Sequence, residues 1–232
     1  MGQFWQGIPE FFLIEIKKAL GGEFVAIETG TYEGHTARKL SRFANHVITI
    51  EADYSYHLKS NRTLQSLQNV TTLYGDSRNL IAQVLPQIQT KCVFWLDAHY
   101  SGGNTAGSLS NCPLISELLQ ILPLRQSVNS IILIDDVRGL IGENGWPILS
   151  EVINLLNHYN FSSIIIDDVL IASSTDHLKV FAESLKRSRT YALESLGGRM
   201  SLIIPLVKII GFIAALSFKF KNHKFFDKGL AT

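Results

Sequence analysis

From Phe24 to Glu28 the chain reads Phe-Val-Ala-Ile-Glu, a short apolar run of β-formers that stops on an acid. Gly30 and Gly34 follow, four residues apart, and the stretch from His35 carries apolar residues at helical spacing. This pattern predicts a strand, a tight glycine turn and a helix N-terminus. Upstream, Pro9 to Leu20 has helical periodicity and ends at Gly21-Gly22, a helix stop signal. Downstream the two periods alternate. Strands are expected at His46–Glu51, Val70–Tyr74, Cys92–Leu96 and Ser130–Ile134, and helices at Tyr54–Gln68, Arg78–Leu85, Cys112–Leu122 and Trp146–His158, the last introduced by Pro147 at a first-turn position. Phe161–Ile166 and Val169–Ser173 are separated only by Asp167-Asp168, too short for a helical crossover, so they predict an antiparallel hairpin. The expected fold is α/β, a doubly wound, mostly parallel seven-stranded sheet with that hairpin at its C-terminal end.

In such a sheet ligands bind beyond the carboxyl ends of the strands, and acids stand at or beside those ends: Glu28, Glu51, Asp76, Asp97, Asp135 and Asp136. Glycine at 30 and 34 would let backbone approach a ligand closely, and the N–H groups of the following helix would face the same place. The full Gly-x-Gly-x-x-Gly of a dinucleotide site is missing, and Glu28 would repel a pyrophosphate while suiting an amino group. Glu51 lies 21 residues after Gly30, the spacing at which a carboxylate can accept both hydroxyls of a ribose. Asp76 with Ser77 could hold an adenine amino group or merely cap a helix. Carboxylates converging on one crevice repel unless a cation joins them, and a hard divalent ion with oxygen ligands would resolve the repulsion.

The chain has 232 residues, 46% of them hydrophobic, enough for one well-buried domain. A net charge of +1 gives no general attraction to nucleic acid. Two cysteines, Cys92 and Cys112, lack zinc or redox spacing and fit a reducing, cytoplasmic setting. No secretory signal is visible at the N-terminus, and Gln6 breaks the myristoylation pattern that Gly2 would begin.

Glu28-Thr-Gly-Thr-Tyr-Glu-Gly, Ile50-Glu51, Gly75-Asp76-Ser77 and Phe94-Trp-Leu-Asp-Ala-His99 together resemble the ordered motifs of class I S-adenosylmethionine-dependent methyltransferases, over roughly residues 20 to 175. Asp97-Ala-His99-Tyr-Ser with Asp135-Asp136 is similar to the metal-assisted O-methyltransferases of sugars and related natural products. The resemblance implies a Rossmann-like methyltransferase fold. It implies Glu28 and Gly30, within the turn that also contains Thr31 and Gly34, near the methionine part of S-adenosylmethionine, Glu51 on its ribose, and Asp76 and Ser77 near its adenine. It implies magnesium on Asp97, Asp135 and Asp136. The turn departs from the commoner Glu-x-Gly-x-Gly-x-Gly, having Thr31-Tyr32 where the middle glycine falls. The implied reaction is methyl transfer to a hydroxyl of a small-molecule acceptor, a sugar or glycoside. Asp97 and the metal would lower the hydroxyl's pKa while His99 accepts the proton. His99 can equally be a plain loop histidine, and Arg138 either neutralises the aspartates or binds an anionic group of the acceptor.

The domains expected are a helical lead-in at 1–22, the cofactor-binding domain at 23–176 and an extension at 177–232. The extension opens with an amphipathic helical pattern from His177 to Ser195 and contains the apolar run Leu202–Phe218, followed by Lys219, Lys221, Lys224 and Lys228. As a helix this run spans about 25 Å, short of a hydrocarbon core of about 30 Å. It leaves open a true span, peripheral membrane contact with the protein otherwise cytoplasmic, or burial in a homodimer. Two other functions share the motifs: a NAD-dependent oxidoreductase, which needs a tighter glycine fingerprint, and a non-catalytic nucleoside-binding protein of the same fold.

Overall fold

Cys92–Leu96 (β4) and Ser130–Ile134 (β5) are buried along their whole length, and β4 is the central strand of the sheet. Successive residues of β4 feed two separate cores. Val93 and Trp95 pack on one face with Phe12, Leu13 and Ile16 of α1 (Glu10–Leu20) and Ala37 and Leu40 of α2 (His35–Leu40). Cys92, Phe94 and Leu96 pack on the other with Ile81 of α4 (Ser77–Val84), Leu118 and Ile121 of α5 (Leu114–Arg125), and Val152 and Leu156 of α6 (Leu149–His158). A strand between two helical layers needs apolar side chains at every position, hence the unbroken hydrophobic run. Each such side chain contributes about 1.5–3 kcal/mol when fully buried.

The computed structural model describes residues 8, 10–98, 112–125, 130–166, 168–173, 178, 182 and 183. All lie in the unit Met1–Leu185. The remaining elements are β1 (Val25–Thr29), β2 (His46–Glu51), α3 (Tyr54–Leu64), β3 (Val70–Tyr74), β6 (Ser162–Ile166) and β7 (Val169–Ser173). Strand order is β3-β2-β1-β4-β5-β7-β6, parallel as far as β5, with β7 antiparallel to both β5 and β6. The seven-stranded, doubly wound sheet with its antiparallel hairpin is therefore present. The order reverses direction between β1 and β4, which places a crevice at the carboxyl ends of the central strands.

Several expected boundaries move, with local causes. The first strand is Val25–Thr29, one residue later than expected. α3 stops at Leu64, where the chain tightens into a turn closed by the Leu67 N–H on the Leu64 carbonyl (2.9 Å). α5 continues past Leu122 through Pro123 to Arg125, whose buried guanidinium donates to the carbonyls of Leu85, Ile88 and Thr90 (3.2, 2.7 and 3.2 Å) and anchors the helix end. α6 starts at Leu149, so Trp146 and Pro147 are not helical. A bridge between Ile141 and Ile148, with the Leu149 N–H on the Leu140 carbonyl (2.9 Å), makes this stretch a small closed loop instead. Among the described residues no helix is long and apolar enough to cross a membrane. The expected apolar run Leu202–Phe218 lies outside them, as does the predicted helix from His177 apart from Leu178, Ala182 and Glu183.

Candidate cofactor and acceptor site

The corner after β1 is shaped by its neighbours in the sheet. Gly30 has φ +83, and a Cβ there would lie 2.5 Å from the Asp97 carbonyl oxygen at the end of β4. Its glycine is thus required by the close approach of two strand ends, whatever ligand the turn faces. Gly34, also at φ +83, caps α2, and a Cβ would press on the Leu64 side chain at 3.1 Å. Between them Tyr32, at the middle glycine position, keeps a left-handed backbone (φ 50) although it carries a side chain, a conformation that costs a non-glycine residue about 1–2 kcal/mol. Its ring is 50% exposed and packs on Tyr56 of α3, ring centroids 4.5 Å apart. α2 has only six residues, so the anion-attracting helix expected after the turn is short.

Glu28 does not stand in the crevice. It is 1% exposed, and its carboxyl accepts the hydroxyl hydrogen of Thr49, its register partner on β2. Thr49 has only one hydrogen to give, so the Thr31 hydroxyl, 2.5 Å away, must donate to Thr49. A buried chain Thr31→Thr49→Glu28 thus braces the turn from beneath. Burial pushes the Glu28 carboxyl up to about 8; the Thr49 hydrogen bond opposes this, while Asp97 and Glu51 add to it.

Glu51, at the end of β2, is oriented by backbone on both sides. One carboxylate oxygen accepts the Tyr32 N–H (2.8 Å) and the other the Asp53 N–H (2.8 Å). A carboxylate has about four lone-pair sites, so each oxygen keeps capacity for a hydroxyl donor. Asp53, not singled out by the sequence reading, caps α3 through the N–H groups of Ser55 and Tyr56 (2.8 and 3.0 Å), and its pKa is lowered by the hydroxyl of Ser55 and the backbone of Tyr56. An Asp immediately before a predicted helix was the available signal.

Asp76 takes the capping alternative. It caps α4 through the Arg78 N–H (2.9 Å) and forks the Arg78 guanidinium, with Nη2 at 2.6 Å, which holds its carboxyl below the usual range. Ser77, the first residue of α4, is buried.

Asp97 and Asp135 follow neighbouring strand ends. Leu96 and Ile134 are register partners on adjacent parallel strands, and the Asp135 N–H donates to the Leu96 carbonyl (3.2 Å), which sets the backbone of the next residue of each strand side by side. A depression beside them is lined by Leu96, Ala98, Cys112, Ile134, Asp135 and Trp146. Trp146 reaches it from the closed loop before α6; its ring lies against Gly139, where a Cβ would come within 2.8 Å. Burial pushes the Cys112 thiol up to about 11, so it is no thiolate at neutral pH.

Asp136 is engaged in an ion pair. It has a left-handed backbone (φ 54), and its carboxylate pairs with the Arg138 guanidinium. Arg138 also pairs with Asp168 at the β6–β7 turn, and its N–H donates to the same carboxylate (3.0 Å). Arg138 therefore neutralises aspartates, and Asp168, from the β6–β7 turn, joins that turn to the segment after β5. Among the described residues no three His, Cys, Asp or Glu side chains converge as a metal site. His99 and the loop 100–111 lie outside them.

No protein-family model matches the chain, and no curated protein does. Solved structures do. An O-methyltransferase from Bacillus cereus in complex with SAH aligns with a TM-score of 0.50 at 14% identity, over 74% of this chain and 84% of that one. A Pyrococcus horikoshii protein aligns at 0.48 and 14% identity, over 72% and 89%. An rRNA methylase from Streptococcus thermophilus aligns at 0.44 and 13%, over 71% and 91%. The chain has the Rossmann-like methyltransferase fold; identities this low speak to the fold alone.

Proposed function

We propose that this chain transfers a methyl group from S-adenosylmethionine to a hydroxyl of a small molecule, with a sugar or glycoside as the acceptor. The observation that carries the reading is Glu51, a strand-end carboxylate held by two backbone N–H groups at the crevice with hydrogen-bonding capacity left on each oxygen. That geometry fits the two hydroxyls of a ribose. The Thr31→Thr49→Glu28 chain fixes the turn that presents Tyr32 N–H to Glu51. Glu28 and Thr31 thus position the cofactor site rather than touch the ligand, as Gly30 and Gly34 do by packing.

The cofactor, when bound, supplies an electrophilic methyl on a sulfonium. Asp97, on the acceptor side of the crevice beside Asp135, receives the hydrogen bond of the acceptor hydroxyl and orients its oxygen. His99, two residues on, is the proposed proton acceptor. Leu96, Ala98 and Trp146 keep water from the reacting face. The three-aspartate magnesium set does not fit the geometry, because the Asp136 carboxylate is taken by Arg138, and no step here passes through a metal. The test is a screen of nucleotide sugars and glycosides for transfer of a labelled methyl group. Transfer to at least one, lost in Asp97→Asn, is expected; binding of NAD in place of S-adenosylmethionine would overturn the reading.

A further inference from the structure

Two residues past β5 the chain makes a turn that L-amino acids avoid. Asp136 sits at φ 54, ψ 45, in the left-handed region where Asp and Asn are the tolerated side chains. That turn directs its carboxylate onto the guanidinium of Arg138, within one short 3-10 turn (Val137–Gly139). A second carboxylate, Asp168 from the β6–β7 turn, grips the same guanidinium. The hold is reinforced through backbone, with Arg138 N–H on Asp168 Oδ1 (3.0 Å) and Val137 N–H on the Asp168 carbonyl (3.0 Å). The two carboxylates are 16% and 11% exposed, the guanidinium 43%. The neighbouring Asp135 turns one oxygen back to the Asp136 N–H (2.9 Å).

We infer that Arg138 is a built-in cation that takes up one of the three aspartates to which the sequence resemblance would assign a divalent metal, so that the three-aspartate set cannot close on a metal here. Magnesium demands near-octahedral oxygen ligation at short range, and here one of its three implied carboxylates is spent on a guanidinium held from two segments. A guanidinium keeps its charge across the working pH range and cannot yield to an incoming dication by losing a proton. To gather all three aspartates the dication would have to enter beside a fixed positive charge and take Asp136 from it. A metal-bound acceptor must offer two vicinal oxygens. Without the metal one hydroxyl is enough, so isolated hydroxyls are acceptors as well as vicinal diols.

This consequence for the acceptor rests on the methyl-transfer reading; the exclusion of metal does not, and it is tested on the protein alone. Manganese is titrated calorimetrically into wild type, Asp136→Asn, Arg138→Gln and the double variant, with melting curves as a folding control. Wild type and Asp136→Asn should give the same isotherm. Arg138→Gln should bind manganese at least tenfold more tightly, and adding Asp136→Asn should remove the gain. A manganese ion held by wild type and lost in Asp136→Asn overturns the inference, as does a folded Arg138→Gln with no gain. Should Arg138→Gln not fold, the comparison of wild type with Asp136→Asn still decides. Absence of methyl transfer with every acceptor would strike the proposed function and leave this result standing.

Discussion

Replacing Glu28 by Gln should make the protein more stable in alkali relative to wild type, and the size of the effect follows from where Glu28 sits. Its carboxyl is enclosed between β1, β2 and α2, hydrogen-bonded by Thr49 and by the Ala37 backbone, and faces the charges of Asp97 and Glu51. Burial is the largest cause of its upward shift, from the ordinary 4.5 to about 8. Between those two values the folded chain holds a proton that the unfolded chain has released, so folding stability falls as pH rises through the window. The contribution is fully present below 4.5 and lost by about 8. A gap of about 3.5 pH units, at 1.36 kcal/mol per unit, amounts to about 5 kcal/mol as an upper figure. Gln has the same shape, can accept from Thr49 and does not titrate. Urea denaturation of both proteins at intervals from pH 4.5 to 9 measures the difference directly. The stability of Glu28→Gln minus that of wild type should climb by several kcal/mol across the window and then level off. Parallel profiles would refute the argument, because they would mean that Glu28 is ionised in the folded protein at neutral pH.

The corner after β1 makes two further predictions. Gly30→Val should destabilise by about 2–5 kcal/mol, since it combines left-handed strain of about 1–2 kcal/mol with an overlap costing about 1–3; the Cβ falls 2.5 Å from the Asp97 carbonyl oxygen. Thermal unfolding checks this, and a well-folded Gly30→Val that merely fails to bind cofactor would show that the glycine serves the ligand after all. Tyr32→Gly should stay within about 1 kcal/mol of wild type, because relief of strain offsets loss of the Tyr56 ring contact, worth about 0.5–1.5. Tyr32→Val, β-branched and without that contact, should lose about 1–3 by the same two terms; equal stability of the two variants would contradict a strained Tyr32.

The sheet could be read from the chain because its signals are local. β4 and β5 carry unbroken apolar runs since helices cover both their faces, and the two-residue gap at Asp167-Asp168 permits only a hairpin. The site was less legible because its acids look alike in sequence and differ through register. Glu28 and Glu51 both stand at or next to strand ends, yet Glu28 lies opposite Thr49 inside the sheet while Glu51 meets the N–H of Tyr32. Nothing in Asp135-Asp136-Val-Arg138 announces that one residue turns left-handed and hands its carboxylate to Arg138, or that Asp168, 30 residues on, will share it. Pro147, a good first-turn residue, predicts a helix that includes Trp146. The closed loop that overrides this depends on the pairing of Ile141 with Ile148, a contact between positions seven residues apart.

The central claim is that Glu51 holds the ribose of S-adenosylmethionine, and the most direct measurement is a calorimetric titration of wild type and Glu51→Ala with S-adenosylhomocysteine, with NAD as the comparison ligand. Wild type should bind S-adenosylhomocysteine and not NAD. Loss of the charged acceptor should weaken binding by about 1–3 kcal/mol, roughly five- to 150-fold at 1.4 kcal/mol per decade, with the melting curve confirming that the variant remains folded. Equal affinity of the two proteins, or a wild type that binds NAD and ignores S-adenosylhomocysteine, would contradict the account.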